Sequence, residues 1–460
     1  MTQDQMYSEI QSKEIFEQAQ QYAFEYLEDI FSRNVYPTIE AIDNLSQFDE
    51  AMPEESLAAS TVLKQLHQYG SPATTATLGG RYFGFVCGSA VPVGLAAKQL
   101  ATVWDQSPTM NVLSPIGSKL EAVVEQWLVE LFDLPEGTCA GFVSGTSMAN
   151  VCGLAAARWR ILQRNGWDVI KKGIYNAPRM RIVTGRHAHS TVLKALGLLG
   201  LGHDHIEWVD VDDQGRIIPE LIPELDRNTL LILQAGNVNS GAFDDFKTIC
   251  KRANEANTWV HIDGAFGLWA DAVDELKYLT EGINLADSWA VDGHKTLNTP
   301  YDSGIILCKD QQALSGALHM TGSYIVRSKE RDGMNYTPEM SRRARGIELW
   351  AIMKYLGKSG IQQMVWGMHL RAVKFAEAIR ELDGFTVDND VVFNQVLVRC
   401  ASDEVTDRVL LKIQDLRACW LGGSVWKDKK VMRVSICSWA TTEEDISIAV
   451  RSFEKALALS

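Results

Sequence analysis

Between residues 82 and 310 the apolar positions fall into short, unbroken runs separated by stretches with helical spacing. The β-rich runs cover residues 181–184, 206–211, 230–234, 258–263, 288–292 and 304–308. Several, such as 230–233, are apolar without alternation. Strands covered by helices on both faces read this way, as in a parallel sheet. The pattern predicts an α/β domain with a mostly parallel central sheet and helices on both faces. A long amphipathic stretch, 345–382, leads into a smaller α+β unit. That unit has strand-like runs at 391–399 and 431–437 and helical spacing over 404–413 and 442–457. At the other end, residues 14–34 have helical spacing before a break at Pro37, and 54–69 are helical again. The expected organisation is an N-terminal helical extension over 1–70, a large domain over 71–325 and a small C-terminal domain over 326–460. Three pieces suit 460 residues at roughly 150 residues per domain.

Composition narrows the class of partner. With 46% hydrophobic and 22% charged residues the chain is of ordinary globular type. The net charge of −14 without a basic cluster speaks against nucleic acid, which needs grouped Lys and Arg to neutralise phosphates. It leaves small anions open. No uncharged apolar run approaches the ~18 residues of a membrane span. The most apolar stretch, 192–202, is short and contains Lys194. Residues 1–14 are polar and show no secretory signal. The eight cysteines contain no C-x-x-C and read as reduced thiols of a cytosolic protein, with neither a disulfide nor a metal role.

Four constellations carry candidate chemistry. Asp292-Gly-His294-Lys295 follows the run 288–292. A lysine at the end of a buried parallel strand stands where open α/β sheets bind ligands, and desolvation makes its amine nucleophilic. Taken alone, such a lysine also fits an ordinary surface loop. His261-Ile-Asp263-Gly-Ala265 ends another apolar run, where a carboxylate in low dielectric would hold a cationic partner strongly. A turn or helix-capping Asp reads the same way. Ser144-Gly145-Thr146-Ser147 opens a helical run and suits an anion, because helix N-termini present free N–H groups. Ser and Thr begin many helices for capping alone. In Arg186-His187-Ala-His189-Ser190 an imidazole after a strand can stack on a ring and exchange protons, or simply pack.

Together and in this order, these motifs resemble the pyridoxal-5′-phosphate (PLP) decarboxylases of the aromatic-L-amino-acid and glutamate decarboxylase type, within the aspartate-aminotransferase fold family. The resemblance runs from about Tyr82 to Val450. It also includes Ser114-Pro-x-x-x-x-Leu-Glu121, Ala235-Gly-Asn237-Val-Asn239-Ser-Gly241, Ser341-Arg342-Arg343-Ala-Arg345, Arg433-Val-Ser435 and Thr441-Thr-Glu-Glu-Asp445. It implies that Lys295 holds the cofactor as a Schiff base, that Asp263 pairs with the pyridinium nitrogen and that His189 stacks on the ring. Thr146 and Ser147 would bind the phosphate, with His294 near it, and Ala265 would pack under the ring. Asn237 would give the cofactor a hydrogen bond. Tyr336, in Arg331-Asp-Gly-Met-Asn-Tyr336-Thr-Pro338, would deliver the proton that yields an amine, or would simply anchor its loop. Arg342, Arg343 and Arg345 read as structural caps or as binders of acidic groups. Arg433 reads as a substrate-carboxylate partner or as half of a structural ion pair.

Two departures stand out, one next to the phosphate loop and a second near the substrate entrance that bears on the substrate. Met148 stands where many relatives have Glu, and Gly79-Gly80 where they have His-Pro. Tyr82, Phe83 and Phe85 follow and suit an apolar pocket. The resemblance therefore implies an L-amino-acid substrate of aromatic or apolar character, release of the amine and CO₂, and a homodimer. An aldehyde-forming decarboxylase, another PLP lyase, or a silent binding relative would share the scaffold.

Overall fold

Strands form where the unbroken apolar runs lie. The computed structural model describes residues 2–318 and 330–460. Seven strands make one sheet: β1 Cys139–Val143, β2 Arg181–Gly185, β3 Ile206–Val209, β4 Thr229–Gln234, β5 Trp259–Asp263, β6 Ser288–Asp292 and β7 Gly304–Cys308. Their order is β1-β7-β6-β5-β4-β2-β3. The pairs from β3 through β6 are parallel, and β7 alone runs the other way, between β6 and β1. Successive residues of a strand enter opposite cores. Leu231 and Leu233 pack with Phe246, Leu349 and Ile352 on one face, while Leu230 and Ile232 pack with Ala156, Val192 and Leu314 on the other. Both faces are apolar, which is why the runs do not alternate.

The helix Thr146–Arg164 crosses β5, β6 and β7. Its buried face is built largely of small residues, including Ala149, Gly153 and Ala156, and this lets it lie close to the sheet. A Cβ on Gly153 would come within 2.5 Å of the His261 ring.

A second sheet holds β8 Thr386–Val387, β9 Gln395–Arg399, β10 Gly422–Trp426 and β11 Lys429–Ser435, all antiparallel in the order β10-β11-β9-β8. Helices Asp403–Leu416 and Glu443–Ala458 complete its core. The long helix Gly346–Arg380 joins the two units. Leu349, Ile352 and Val365 belong to the large core, and Ala372, Phe375 and Ile379 to the small one. The observed α/β architecture, with its smaller α+β unit, is the one expected. The expected boundary at 325/326 lies outside the described residues.

The N-terminal stretch is helical, with Thr2–Ser12, Glu14–Glu28 and Ala59–Gln65, and none of these helices buries a residue. No helix among the described residues is long and apolar enough to cross a membrane.

Candidate active site

The parallel strands deliver their carboxyl ends to one cavity of about 500 Å³. Ser144, Gly145, Thr146 and Ser147 follow β1, His189 follows β2, and Gln234 ends β4. Asp263 ends β5, and Asp292 ends β6 with His294 and Lys295 just beyond. Ala265, Phe266, Phe85, Val86 and Arg433 complete much of the wall. This is the position at which open parallel sheets bind ligands, because loops diverge there and helices begin. Gly304, at the start of β7, has no room for a Cβ against the Gly145 backbone, so the 144–147 turn can lie directly on the sheet.

Charge is distributed unevenly around this cavity. Asp292 Oδ1 accepts a 2.6 Å hydrogen bond from the Thr146 backbone N–H, at the start of the helix Thr146–Arg164. Its Oδ2 lies 3.2 Å from Lys295 Nζ and 3.5 Å from His294 Nε2. The His294 ring also accepts from the Ser303 N–H at 3.1 Å, and burial holds its pKa below the usual imidazole range. Asp263 receives Asn150 Nδ2 and the Ala265 N–H, both at 3.3 Å, and no ion pair among the described residues. Burial pushes its carboxyl upward, while the charges of His189 and Lys295 pull it back. Burial also lowers the pKa of His189, against the pull of Asp263. Arg433 is largely buried, which lowers its pKa, and it has no ion-pair partner among the described residues.

The profile of the pyridoxal-dependent decarboxylase conserved domain matches residues 43–401. The chain belongs to this family. It is thus a PLP-dependent lyase of the amino-acid decarboxylase type. Aromatic-L-amino-acid decarboxylase of Bacillus atrophaeus is 27% identical over 469 residues, covering 96% of this chain and 94% of that protein. 4-Hydroxyphenylacetaldehyde synthase of Rhodiola rosea is 23% identical, covering 87% and 85%. The crystal structure of Oryza sativa TDC with PLP and tryptamine superposes with a TM-score of 0.88 at 20% identity, covering 98% of both chains.

The cavity suits the family's cofactor. Thr146 Oγ1 is buried without a hydrogen-bond partner at the N-terminus of a 19-residue helix, where a phosphate oxygen can supply one. At the other end Asp263 is a buried acid with no ion-pair partner among the described residues, which suits a protonated ring nitrogen. Thr146, Ser147, His189, Asp263, Ala265, His294 and Lys295 all line the cavity, as the resemblance requires.

Two expected site residues do not line it. Asn237 turns its Oδ1 back on its own loop, accepting the N–H groups of Asn239 at 2.9 Å and Ser240 at 3.3 Å. The turn before Gly241 uses this side-chain oxygen. Tyr336 lies beside the edge strand β1, its backbone against Gly141. The Arg331 guanidinium covers its ring at 4.2 Å and Gln311 Nε2 donates to its hydroxyl at 2.8 Å. Within its own chain it cannot deliver a proton at Lys295.

The three arginines after Tyr336 are structural. Arg342 pairs with the fully buried Glu121 at 2.6 Å, Arg343 with Asp302 and Glu348, and Arg345 with Asp302. Of the apolar trio, only Phe85 reaches the cavity. Phe83 is core, and Tyr82 stacks on Trp420. Sequence reasoning missed Asp292 and Gln234 as site residues. The signal for Asp292 was its place at a strand end three residues before Lys295. For Gln234 it was the end of the unbroken apolar run 230–233.

Proposed function

We propose that the protein decarboxylates an L-amino acid with an aromatic or apolar side chain and releases the amine. The carrying observation is that Arg433, a partly buried cation with no ion-pair partner among the described residues, opens onto the same cavity as Lys295, beside Phe85, Val86 and Phe266. A carboxylate at one end of a substrate and an apolar group at the other match that wall. The relatedness to an aromatic-L-amino-acid decarboxylase over nearly the whole chain supports the same class.

When bound, PLP supplies an electron-withdrawing ring that takes up the electrons left at the substrate Cα. Lys295 would hold it through its side-chain amine. Asp263 keeps the ring nitrogen charged, and Thr146 and Ser147 hold the phosphate. Arg433 meets the incoming carboxylate, and the apolar wall excludes water, which strengthens each of these contacts. His189, which lines the cavity beside Asp263 and Lys295, holds the proton for Cα in place of Tyr336.

One observation favours a second reading, oxidation by dioxygen to the aldehyde with release of ammonia and hydrogen peroxide: the tyrosine expected to protonate Cα lies outside the cavity of its own chain. Headspace CO₂ together with amine, aldehyde and peroxide assays over a panel of amino acids separates the two. Amine as the main product, shifted towards aldehyde and peroxide by His189→Asn, supports the proposal. Aldehyde as the main wild-type product refutes it.

We infer further that the chain works as a cytoplasmic homodimer, divided at residues 70 and 325. Phe16, Phe24, Leu27, Leu100, Trp104 and Leu113 are exposed apolar side chains of one copy. A second copy covering them would bury the ~2,000 Å² or more of an obligate interface. An active monomer in light scattering would contradict this.

A further inference from the structure

Behind the cavity runs a row of buried polar groups that no catalytic role above uses. Trp259 Nε1 donates to Ser288 Oγ at 3.1 Å, and Ser288 Oγ lies 2.8 Å from His261 Nδ1. His261 Nε2 lies 2.9 Å from Asn150 Oδ1, and Asn150 Nδ2 donates to Asp263 Oδ2 at 3.3 Å. The same Nδ2 reaches Thr191 Oγ1 at 3.5 Å, which lies 2.8 Å from His189 Nδ1. Asn150, His261 and Ser288 have no solvent exposure.

The two ends of this row fix the direction of every bond in it. An indole N–H only donates, and an ionised carboxylate only accepts. Ser288 therefore accepts from Trp259 and gives its own hydrogen to His261 Nδ1. Burial pushes the His261 pKa down to about 3, so the ring is neutral and carries its one hydrogen on Nε2. That hydrogen goes to Asn150 Oδ1, and the Asn150 NH₂ group must face Asp263 and Thr191. The Thr191 hydroxyl then donates to His189 Nδ1, which also accepts the Thr191 backbone N–H at 3.3 Å. The hydrogen of neutral His189 is left on Nε2. Turning the Asn150 amide over would set its oxygen against the Asp263 carboxylate and lose the bond to His261.

We propose that Asn150, locked by His261, is a positioning residue for both ring-facing groups of the active site. Its amide hydrogens hold the Asp263 carboxylate and, through Thr191, fix His189 in its Nε2–H form. Neither Asn150 nor His261 lines the cavity. They act because a buried carboxylate drifts towards its neutral form unless a fixed donor favours the charged one, and a neutral Asp263 would not keep the ring nitrogen protonated. The groups that bear electrostatically on His189 are Asp263, Lys295, Arg433 and Asp292, so its tautomer is set in a crowded field that one neutral hydrogen-bond chain can bias. The missing side chain at Gly153 serves the same end, leaving space for the His261 ring.

The inference rests on Asp263 and His189 facing the cofactor, and its test is kept separate from that premise. Lys295→Ala, compared with wild type, checks the premise: a visible cofactor band that survives in this variant removes it. For the positioning role, PLP-loaded wild type, His261→Leu and His261→Gln are compared by pH titration of the visible band without substrate, and by kcat and KM. His261→Leu is expected to lower kcat by ~10-fold or more, the usual effect of removing a group that orients a reacting one. KM should change little, and the titration midpoint should move by about one pH unit, equivalent to ~1.4 kcal/mol. His261→Gln can still donate to Asn150 Oδ1 and should recover most of both losses. A His261→Leu protein that melts like wild type and keeps its midpoint and kcat overturns the proposal. If that variant does not fold, Thr191→Val decides, since it removes only the hydroxyl between Asn150 and His189. It should displace the pH profile of kcat, and an unchanged profile overturns the proposal.

Discussion

Asp263 and Asp292 are the last residues of neighbouring parallel strands, and both are almost fully buried, at 5% and 2% exposure. Their surroundings make them opposites. Asp292 is paired from within, with the Lys295 ammonium 3.2 Å away, and also meets the His294 ring and the backbone N–H of Thr146. Asp263 has only neutral donors, Asn150 and Ala265. A buried acid held in no ion pair is costly unless something outside the chain supplies the partner. One residue type at one topological position thus becomes a structural counter-ion at the phosphate end of the cavity and a partner for the bound ring at the other. The neighbours decide between these roles.

The largest expected effect removes the group that both ends serve. Lys295→Ala should abolish turnover and the visible cofactor absorbance together, because no other amine lines the cavity. A variant that keeps both would dissolve the comparison along with the cofactor assignment.

The same substitution at the two aspartates should then give different answers. Asp263→Asn keeps the shape but loses the charge opposite the ring nitrogen. We expect kcat to fall at least about 100-fold, or ~2.7 kcal/mol of barrier, while cofactor remains bound. Near-normal turnover would show that Asp263 is not the ring partner. Asp292→Asn removes a negative charge beside the phosphate site and a favourable partner of the helix N-terminus. The cofactor-free protein should melt lower, and PLP should bind more tightly by ~1 kcal/mol, roughly fivefold. Weaker PLP binding by titration would show that Asp292 helps to hold the cofactor.

The smallest effect comes from a buried acid away from the cavity. Burial pushes the Asp271 carboxyl up to about 6, opposed mainly by the hydrogen bond from Thr280. Its unfolded value is ~3.9. The stability this group contributes is full below pH ~4 and is lost as the pH rises through 6, because the folded state then carries an unfavourable buried charge. Asp271→Asn escapes that loss. Its stability relative to wild type should improve between pH 4 and pH 8 by on the order of 1 kcal/mol, as read from Tm of the cofactor-free protein. An equal difference at both pH values would show that Asp271 is not strained by burial, and would weaken the same reasoning for Asp263.

Legibility in the sequence followed the range of the forces involved. β4, β5, β6 and β7 were readable because burial on both faces writes a continuous apolar run. β1 was missed because Gly141 interrupts its apolar pattern, a glycine that packing against the Tyr336 backbone requires. β10 was missed because Gly422 and Gly423 open it and its exposure alternates. In the site, Lys295, Asp263, His189, Thr146 and Ser147 each sit within a few residues of a strand end, so local motifs revealed them. Asn237 and Tyr336 sat in equally suggestive motifs, yet neither lines the cavity of its own chain. A turn claimed the first, and Arg331, Gln311 and the edge of β1 hold the second.

The sequence by itself determined the architecture, the strand-end placement of the reactive groups and the family. These depend on hydrophobic periodicity and on motifs only a few residues long. Only the tertiary structure decided which acid is neutralised and which is left for the cofactor, and which way each hydrogen points behind them. Asn150 meets His261 across 111 residues of chain, and Thr146 meets Asp292 across 146. A hydrogen bond has a direction, and a buried charge has a sign to be balanced. Both are settled by partners brought together in space, which no local pattern of residues records.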